Sequence, residues 1–417
     1  MTSSSTLGYY STNNQELNTR IDNSVMVSPS PFGDDIVLRN TSNSSSITSA
    51  DFFDAQVSTQ SGRLSAPFIF ANSTLPTGIV TDRAGNIWIS SEDATAGEDG
   101  IPRSFGGSII TKYAPDGSPL GRIQTGPLVS PVDVFSSNRF ALETNSGLIL
   151  SLSPSGQINL IEPNQGIVAP WVNLKSIPIK TDQVYDVATG VTRDFTGSIQ
   201  PSLSSYGDIA IFSGRDFLDV YISGIGAGQA FPFVLRLRLS QTLGDSAQVI
   251  MSSVASTLEG SPPGIAVNSQ GIVLTTLGVN RTTAGNFSAP VAFSVDFNPQ
   301  NVNDSNRPLV LNVDLSSRGM TTDAAGNFYI ATGTIGTTLG GANGSGAIIS
   351  LSPNLVLTGI YTQGAVASAQ DVAVSPDGRV LYATIGTGSF GPNGVIGFQL
   401  PQVTATALPD DLSIEVI

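Results

Sequence analysis

Hydrophobic and polar residues alternate along most of this chain in short runs, and each run breaks at a turn made of Gly, Asn or Asp. The clearest instance is residues 75–90, LPTGIVTDRAGNIWIS: an apolar-polar run, a tight Ala-Gly-Asn turn, then a second run. Period-two alternation on both sides of a turn that tolerates positive φ predicts a β-hairpin. The pattern returns at 317–331 (SRGMTTDAAGNFYIA) and 369–383 (AQDVAVSPDGRVLYA), and more weakly at 130–143, 206–223 and 262–276. Its first core position falls at Ile79, Val134, Ile209, Ile265, Met320 and Val372. The one long interval is assigned to an insertion around 160–205.

A second hairpin follows each copy, as in GSIITKYAPDG (107–117), GLILSLSPSG (147–156) and GAIISLSPN (346–354). Two hairpins per repeat make a four-stranded antiparallel sheet, and a train of such sheets predicts an all-β propeller. Six blades are expected, with cores near 75–117, 130–156, 206–240, 262–297, 317–354 and 369–401; a seventh would require residues 33–70 to complete another. Residues 1–62 lack the repeat and read as a polar, extended N-terminal arm, leaving 63–417 for the propeller. Within Leu64–Asn72, the stretch LSAPFIFAN is expected to supply the outer strand of the last blade, because a ring removes its free edges only when its ends meet.

Composition narrows the chemistry. The chain of 417 residues has no Cys and no His, which removes disulfides, thiolate metal sites, His-ligated zinc and every His-based nucleophilic triad. A net charge of −14 and the lack of any basic stripe argue against a nucleic-acid partner. No window reaches the length of apolar residues needed to span a bilayer, and the N-terminus lacks the pattern of a cleaved leader. These features suit a secreted, surface or particle-associated protein exported without such a leader, with a cytoplasmic location as the alternative.

Strand order puts the connections between second and third strands on one face. Several are long and rich in Gly and Thr: 91–107, 278–289, 332–346 and 384–394. The 1–2 turns opposite are minimal, so a ligand face is expected on the long side. Asp133, Asp208 and Asp371 are placed where other repeats carry Gly beside the central channel, with Arg318 one residue earlier in its own repeat. Carboxylates converging on an axis suit Ca²⁺; as capping groups they would instead accept backbone N–H at strand starts. Glu92, Asp93, Glu98 and Asp99 form a second acidic group in one loop, again open to either calcium or solvent. Arg103 and Arg215 are candidate binding residues, and Asp216, Asp219 and Tyr221 could act without histidine, although no spacing singles them out. No catalytic residue is assigned. Trp88 and Tyr329 occupy equivalent blade positions and read as core.

The run Pro76-x-Gly78-Ile79-x-x-Asp82-x-x-Gly85-Asn86-Ile87-Trp88-Ile89-Ser90 resembles the NHL, SMP-30/gluconolactonase and streptogramin-lyase-like propellers, and VSPDGRVLYAT (374–384) resembles the YVTN and lactonase-type repeat. The resemblance covers 75–400 at blade-forming positions and implies the fold. The lyases' catalytic histidines have no counterpart here, and the Asn and Asp metal ligands of the lactonases are missing at the matching strand starts and ends. The expected function is therefore a non-enzymatic binding or structural module with a protein or glycan partner, self-assembling through its arm. A calcium-dependent, lactonase-like hydrolase or a biosynthetic enzyme is the alternative.

Overall fold

The computed structural model describes residues 25–29, 36–40, 68–71, 76–96, 102–124, 138–153, 156–180, 183–194, 205–214, 217–226, 232–240, 246–253, 263–281, 285–303, 305–311, 315–335, 347–361, 369–385 and 394–400. They form an all-β propeller. Five sheets are four-stranded, and a sixth contains the same four-strand meander with three strands added. A separate two-stranded hairpin pairs Val25–Pro29 with Ile36–Asn40, inside the segment expected to be an extended arm.

The ring is built from pairwise interfaces. Alternation sends successive residues of a strand to opposite faces of its sheet. Val80, Trp88 and Ile110 of the first blade accordingly pack on Phe140, Ile149 and Ile161 of the second. From the other face of the same blade, Ile79, Ile87 and Ile89 pack on Ala373, Tyr382 and Val395 of the last. Four more clusters join the second blade to the third, third to fourth, fourth to fifth, and fifth to sixth. Six interfaces join six sheets in a closed cycle.

Closure follows the sequence expectation. Phe68–Ala71 is the outer strand of the last blade, antiparallel to Gly394–Gln399, with Ile69 opposite Ile396 and Phe68 opposite Gly397. The tail 402–417 lies outside the described residues.

Two regions differ from the reading above. The insertion is shorter than 160–205, because Gln157–Glu162 and Ile167–Asn173 are the last two strands of the second blade. Beyond them, Ile179–Lys180 and Val184–Asp186 pair in parallel with Ser246–Ser252, and Val191–Arg193 pairs with Val184–Asp186, so the added chain covers the outer edge of the third blade. The connections at 91–107 and 278–289 are not open loops. Ile87–Ala96 pairs with Pro102–Tyr113, and Ile272–Arg281 pairs with Gly285–Ser294 up to Arg281 opposite Gly285. Gly and Thr obscured the alternation there, while the cross-strand ladder continued beyond the blade body.

The repeated D-x-x-G-N turn is a hydrogen-bonded device. Asp82 Oδ1 accepts from the backbone N–H of Ala84 (3.0 Å) and Asn86 (2.9 Å), and Oδ2 accepts from Trp88 Nε1 (3.0 Å). Gly85 sits at φ 82°, which a residue with a Cβ rarely adopts. Asp323 repeats the arrangement with the Asn327 N–H (2.9 Å) and the Tyr329 hydroxyl (3.2 Å). Trp88 and Tyr329 are thus buried core residues, each tied by its polar end to the turn's aspartate. Asp82→Ala should leave the buried Trp88 N–H without its acceptor as well as two turn amides. A loss of about 1–3 kcal/mol is expected for that donor alone, read by urea denaturation.

Candidate functional site

Six inner strands converge on the axis. In each, the residue preceding one buried apolar position stands beside it: Gly78, Arg139, Asp208, Gly264, Gly319 and Asp371 precede Ile79, Phe140, Ile209, Ile265, Met320 and Val372. Three positions carry no side chain, and three carry a charge.

Asp371 reaches into the space left by Gly319, while Gly78 and Gly264 make room for backbone and uncharged side chains of the next blade. Asp208, from the third blade, accepts at Oδ2 from the backbone N–H of Ile265 (3.1 Å) in the fourth and Met320 (3.2 Å) in the fifth, and at Oδ1 from Ile209 (2.9 Å). Asp371, from the last blade, accepts at Oδ2 from Ile79 N–H (3.1 Å) in the first, and at Oδ1 from Val372 (2.9 Å). Arg139, from the second blade, donates from Nη1 to the carbonyls of Thr77 (2.8 Å) and Gln370 (3.0 Å), and lies 3.5 Å from Asp371 Oδ2. The bonds fall into two groups: Asp208 ties together the third, fourth and fifth blades, and Asp371 with Arg139 ties together the sixth, first and second.

Around them runs a second set of ties. A hydroxyl on the second strand of a blade reaches the start of the next blade: Ser90 Oγ donates to Asn138 O (2.6 Å), Ser223 Oγ to Pro263 O, and Thr384 Oγ1 to Thr77 O (3.5 Å). Thr276 Oγ1 is 2.7 Å from Ser317 Oγ, which accepts from Gly264 N–H (2.9 Å).

Asp208 and Asp371 thus do the work of caps, with their oxygens turned to backbone N–H groups. Asp133 lies outside the described residues, as do Glu98, Asp99, Arg215 and Asp216. The position expected for Asp133 is filled by Arg139, because the first described strand of the second blade is Arg139–Leu142, turning at Glu143. The core position expected at Val134 lies outside the described residues. Glu92 and Asp93 fall on the strand Ile87–Ala96 and Arg103 on Pro102–Tyr113. Arg318 adjoins the axial Gly319 and is half-buried. Asp219 is fully buried at the far end of the third blade, held by two Arg238 contacts of 2.7 and 2.6 Å and neighboured by the Tyr221 hydroxyl. Among the described residues, no three His, Cys, Asp or Glu stand close enough together to hold a metal ion.

Burial pushes Asp208 up to about 6, against the lowering effect of Arg139 and three backbone N–H groups. It pushes Asp371 up to about 8, where the charge of Asp208 adds to the rise and Arg139 opposes it. Both carboxyls hold a proton more tightly folded than unfolded. Their contribution to stability is fully present below the ordinary aspartate range and is lost as pH climbs from about 4 through 6 and 8, at no more than about 1.4 kcal/mol per pH unit for each. Asp116 and Asp377 are shifted down and act only at lower pH. The melting temperature should therefore be higher at pH 5 than at pH 8, and Asp371→Asn should flatten the curve between pH 6 and 8. A wild-type curve that rises over that interval would contradict the assignment.

Solved structures similar to the chain include WD40 and β-propeller proteins. The chain is similar to a luciferin-regenerating enzyme at 13% identity and TM-score 0.46, over 81% of this chain and 96% of that one. It is also similar to the RRP9 WD40 repeats, at 10% and 0.41 over 81% and 100%. The Cps50 (Swd1) β-propeller domain of Myceliophteria thermophila matches at 9% and 0.43 over 82% and 99%. At such identities the likeness is one of fold alone. No protein-family model and no curated protein matches the sequence.

Proposed function

We propose that the chain is a non-enzymatic propeller that serves as a binding or structural module at a secreted, cell-surface or particle site. Its partner, a protein or a glycan, would meet the face carrying the extended 2–3 hairpins. The observation that supports this reading most is how the axial charges are used. Asp208, Asp371 and Arg139 are bound to backbone groups of neighbouring blades, so the polar groups at the axis are engaged in holding the scaffold. The same scaffold carries long hairpins at Ile87–Tyr113 and Ile272–Ser294, while the D-x-x-G-N turns at the other end of the blades are closed tightly on themselves. Elaborated connections on a rigid frame are where recognition concentrates.

The test compares the full-length chain with a variant whose hairpin tip, Val279–Phe287, is replaced by Asn-Gly. Both are followed by cell fractionation and sedimentation in the native host. The full-length chain is expected in a surface or particle fraction, and the shortened one in solution with an unchanged melting temperature. A full-length chain that sediments alone as a soluble monomer removes the support for this reading. Calcium-dependent turnover of a lactone or sugar acid by the purified chain would overturn it in favour of a metal-assisted hydrolase.

A further inference from the structure

The ties between blades repeat with a period of three. At the axis, the third, fourth and fifth blades carry Asp208, Gly264 and Gly319, and the sixth, first and second carry Asp371, Gly78 and Arg139. Each triplet opens on an aspartate whose Oδ2 accepts from the inner strand of the following blade, at Ile265 in one case and Ile79 in the other. The same carboxylate then reaches the final blade of its triplet, at the Met320 N–H or the Arg139 guanidinium. A second position keeps this period. Across the first hairpin from the axial residue stand Ser223, Thr276 and Ala331 in one triplet, and Thr384, Ser90 and Leu152 in the other. The four hydroxyls tie their blade to the next within a triplet. Ala331 and Leu152 are instead buried in the apolar clusters at the two remaining seams, fifth to sixth and second to third. Further bonds follow suit, each inside one triplet: Thr81 Oγ1 donates to Val374 O (2.6 Å), Lys112 Nζ to Pro163 O (2.8 Å), the Tyr221 hydroxyl to Val295 O (3.0 Å) and Thr322 Oγ1 to Val267 O (3.2 Å). Ser213 Oγ does cross, from the third blade to Glu143 of the second, at the end of the blades where Glu143 turns.

We propose that the propeller is two three-blade units, third-fourth-fifth and sixth-first-second, which move as rigid halves about the two apolar seams faced with Leu152 and Ala331. Hydrogen bonds fix a distance and a direction, whereas apolar packing is non-directional and permits small sliding between packed elements. Four seams are pinned by the ties above, and the other two are the joints. The Ser213–Glu143 contact holds one joint at its turn end, so that joint opens toward the opposite face, where the long hairpins stand. Those hairpins, Ile87–Tyr113 and Ile272–Ser294, belong to the first and fourth blades. These are the middle blades of the two units and lie opposite one another in a ring of six. Movement of the halves therefore changes the gap between the hairpins, as between the jaws of a clamp. The inference goes beyond the proposed function, because the two-unit construction holds whatever the hairpins meet.

The full-length chain has no Cys, so paired spin labels can be placed by double substitution. Ala84→Cys with Ser269→Cys, at exposed turn positions of the first and fourth blades, reads the distance between units. Thr144→Cys with Pro376→Cys, on the second and sixth blades, reads a distance inside one unit. Pulsed dipolar spectroscopy is expected to give a distribution about twice as broad for the first pair as for the second. Equal widths would overturn the proposal. Asp371→Ala separates membership of a unit from proximity, since Asp371 lies against Gly319 of the fifth blade yet shares its unit with the second. Amides of 149–152 are expected to exchange about tenfold faster in that variant, while those of 328–332 stay within about twofold of wild type. A larger rise in the fifth blade than in the second, or the same rise in both, would also overturn it. If Asp371→Ala does not fold, the two label widths decide.

Discussion

Gly319→Ala is expected to be among the most damaging methyl additions at the described glycines. A Cβ at this position would lie 2.1 Å from Asp371 Oδ1, 2.8 Å from its Cγ and 2.8 Å from its Cα. The last contact is with backbone, so a rotamer change of Asp371 cannot relieve it. Moving the side chain would also break its bonds to Ile79 and Val372 and its approach to Arg139. The added methyl thus forces either the fifth or the last inner strand off the axis. Over-packing of a core costs about 1–3 kcal/mol and occasionally more; this site, where the obstacle is backbone and a network goes with it, belongs at or above the top of that range. Gly121→Ala serves as the control, since a Cβ there meets nothing within 4 Å and the change should fall within about 0.5 kcal/mol of wild type. Equilibrium unfolding of the two variants side by side gives the answer. A Gly319→Ala protein as stable as Gly121→Ala would mean the axis is not packed as described.

Arg139→Met is expected to be nearly as costly for a different reason. The side chain is 14% exposed and lies against a carboxylate that is 4% exposed. It is also the cation that opposes the upward pull of burial on both Asp208 and Asp371. Methionine keeps much of the volume and removes the charge and both carbonyl contacts. Breaking a buried ion pair by deleting one partner typically costs about 3–5 kcal/mol, a figure that applies here at pH 8 and above, where Asp371 ionises. The loss should be smaller in acid, where the two carboxyls are neutral, and larger at pH 8, where ionisation of Asp371 would put two uncompensated charges on the axis. A stability difference between wild type and Arg139→Met that stays constant from pH 5 to pH 8 would separate the arginine from the acids. Arg139→Lys should recover only part of the loss, because a shorter side chain with a more strongly hydrated ammonium must take the place of the single Nη1 that meets Thr77, Gln370 and Asp371.

Much of this architecture is legible in the chain. The alternation around Gly85, Gly326 and Gly378 gives the blade hairpins. Phe68–Ala71 can be picked out as the closing strand because an apolar run with no partner hairpin stands directly before the first repeat. The capping role of Asp208 and Asp371 is also readable, since each replaces a glycine at a strand start. Arg139 is not, because its neighbours Phe140-Ala-Leu142 fit the second arm of a hairpin as well as the first. A turn of Ser-Ser-Asn is as acceptable locally as one of Glu-Thr-Asn-Ser-Gly, and only contacts from distant blades separate the two. Ser90, Ser223, Thr276 and Thr384 left a usable trace: four repeats carry a hydroxyl residue within the second strand (Trp-Ile-Ser, Tyr-Ile-Ser, Leu-Thr-Thr, Tyr-Ala-Thr). In isolation such residues look like ordinary strand formers. The extended hairpins were hidden because Gly and Thr do not alternate in polarity.

The six apolar clusters between blades carry one more implication. An open row of six sheets would have five interfaces and two bare apolar faces; the circle has six interfaces and none. Each sheet is therefore held from both sides, and the seam where the ring closes carries an apolar interface as every other seam does.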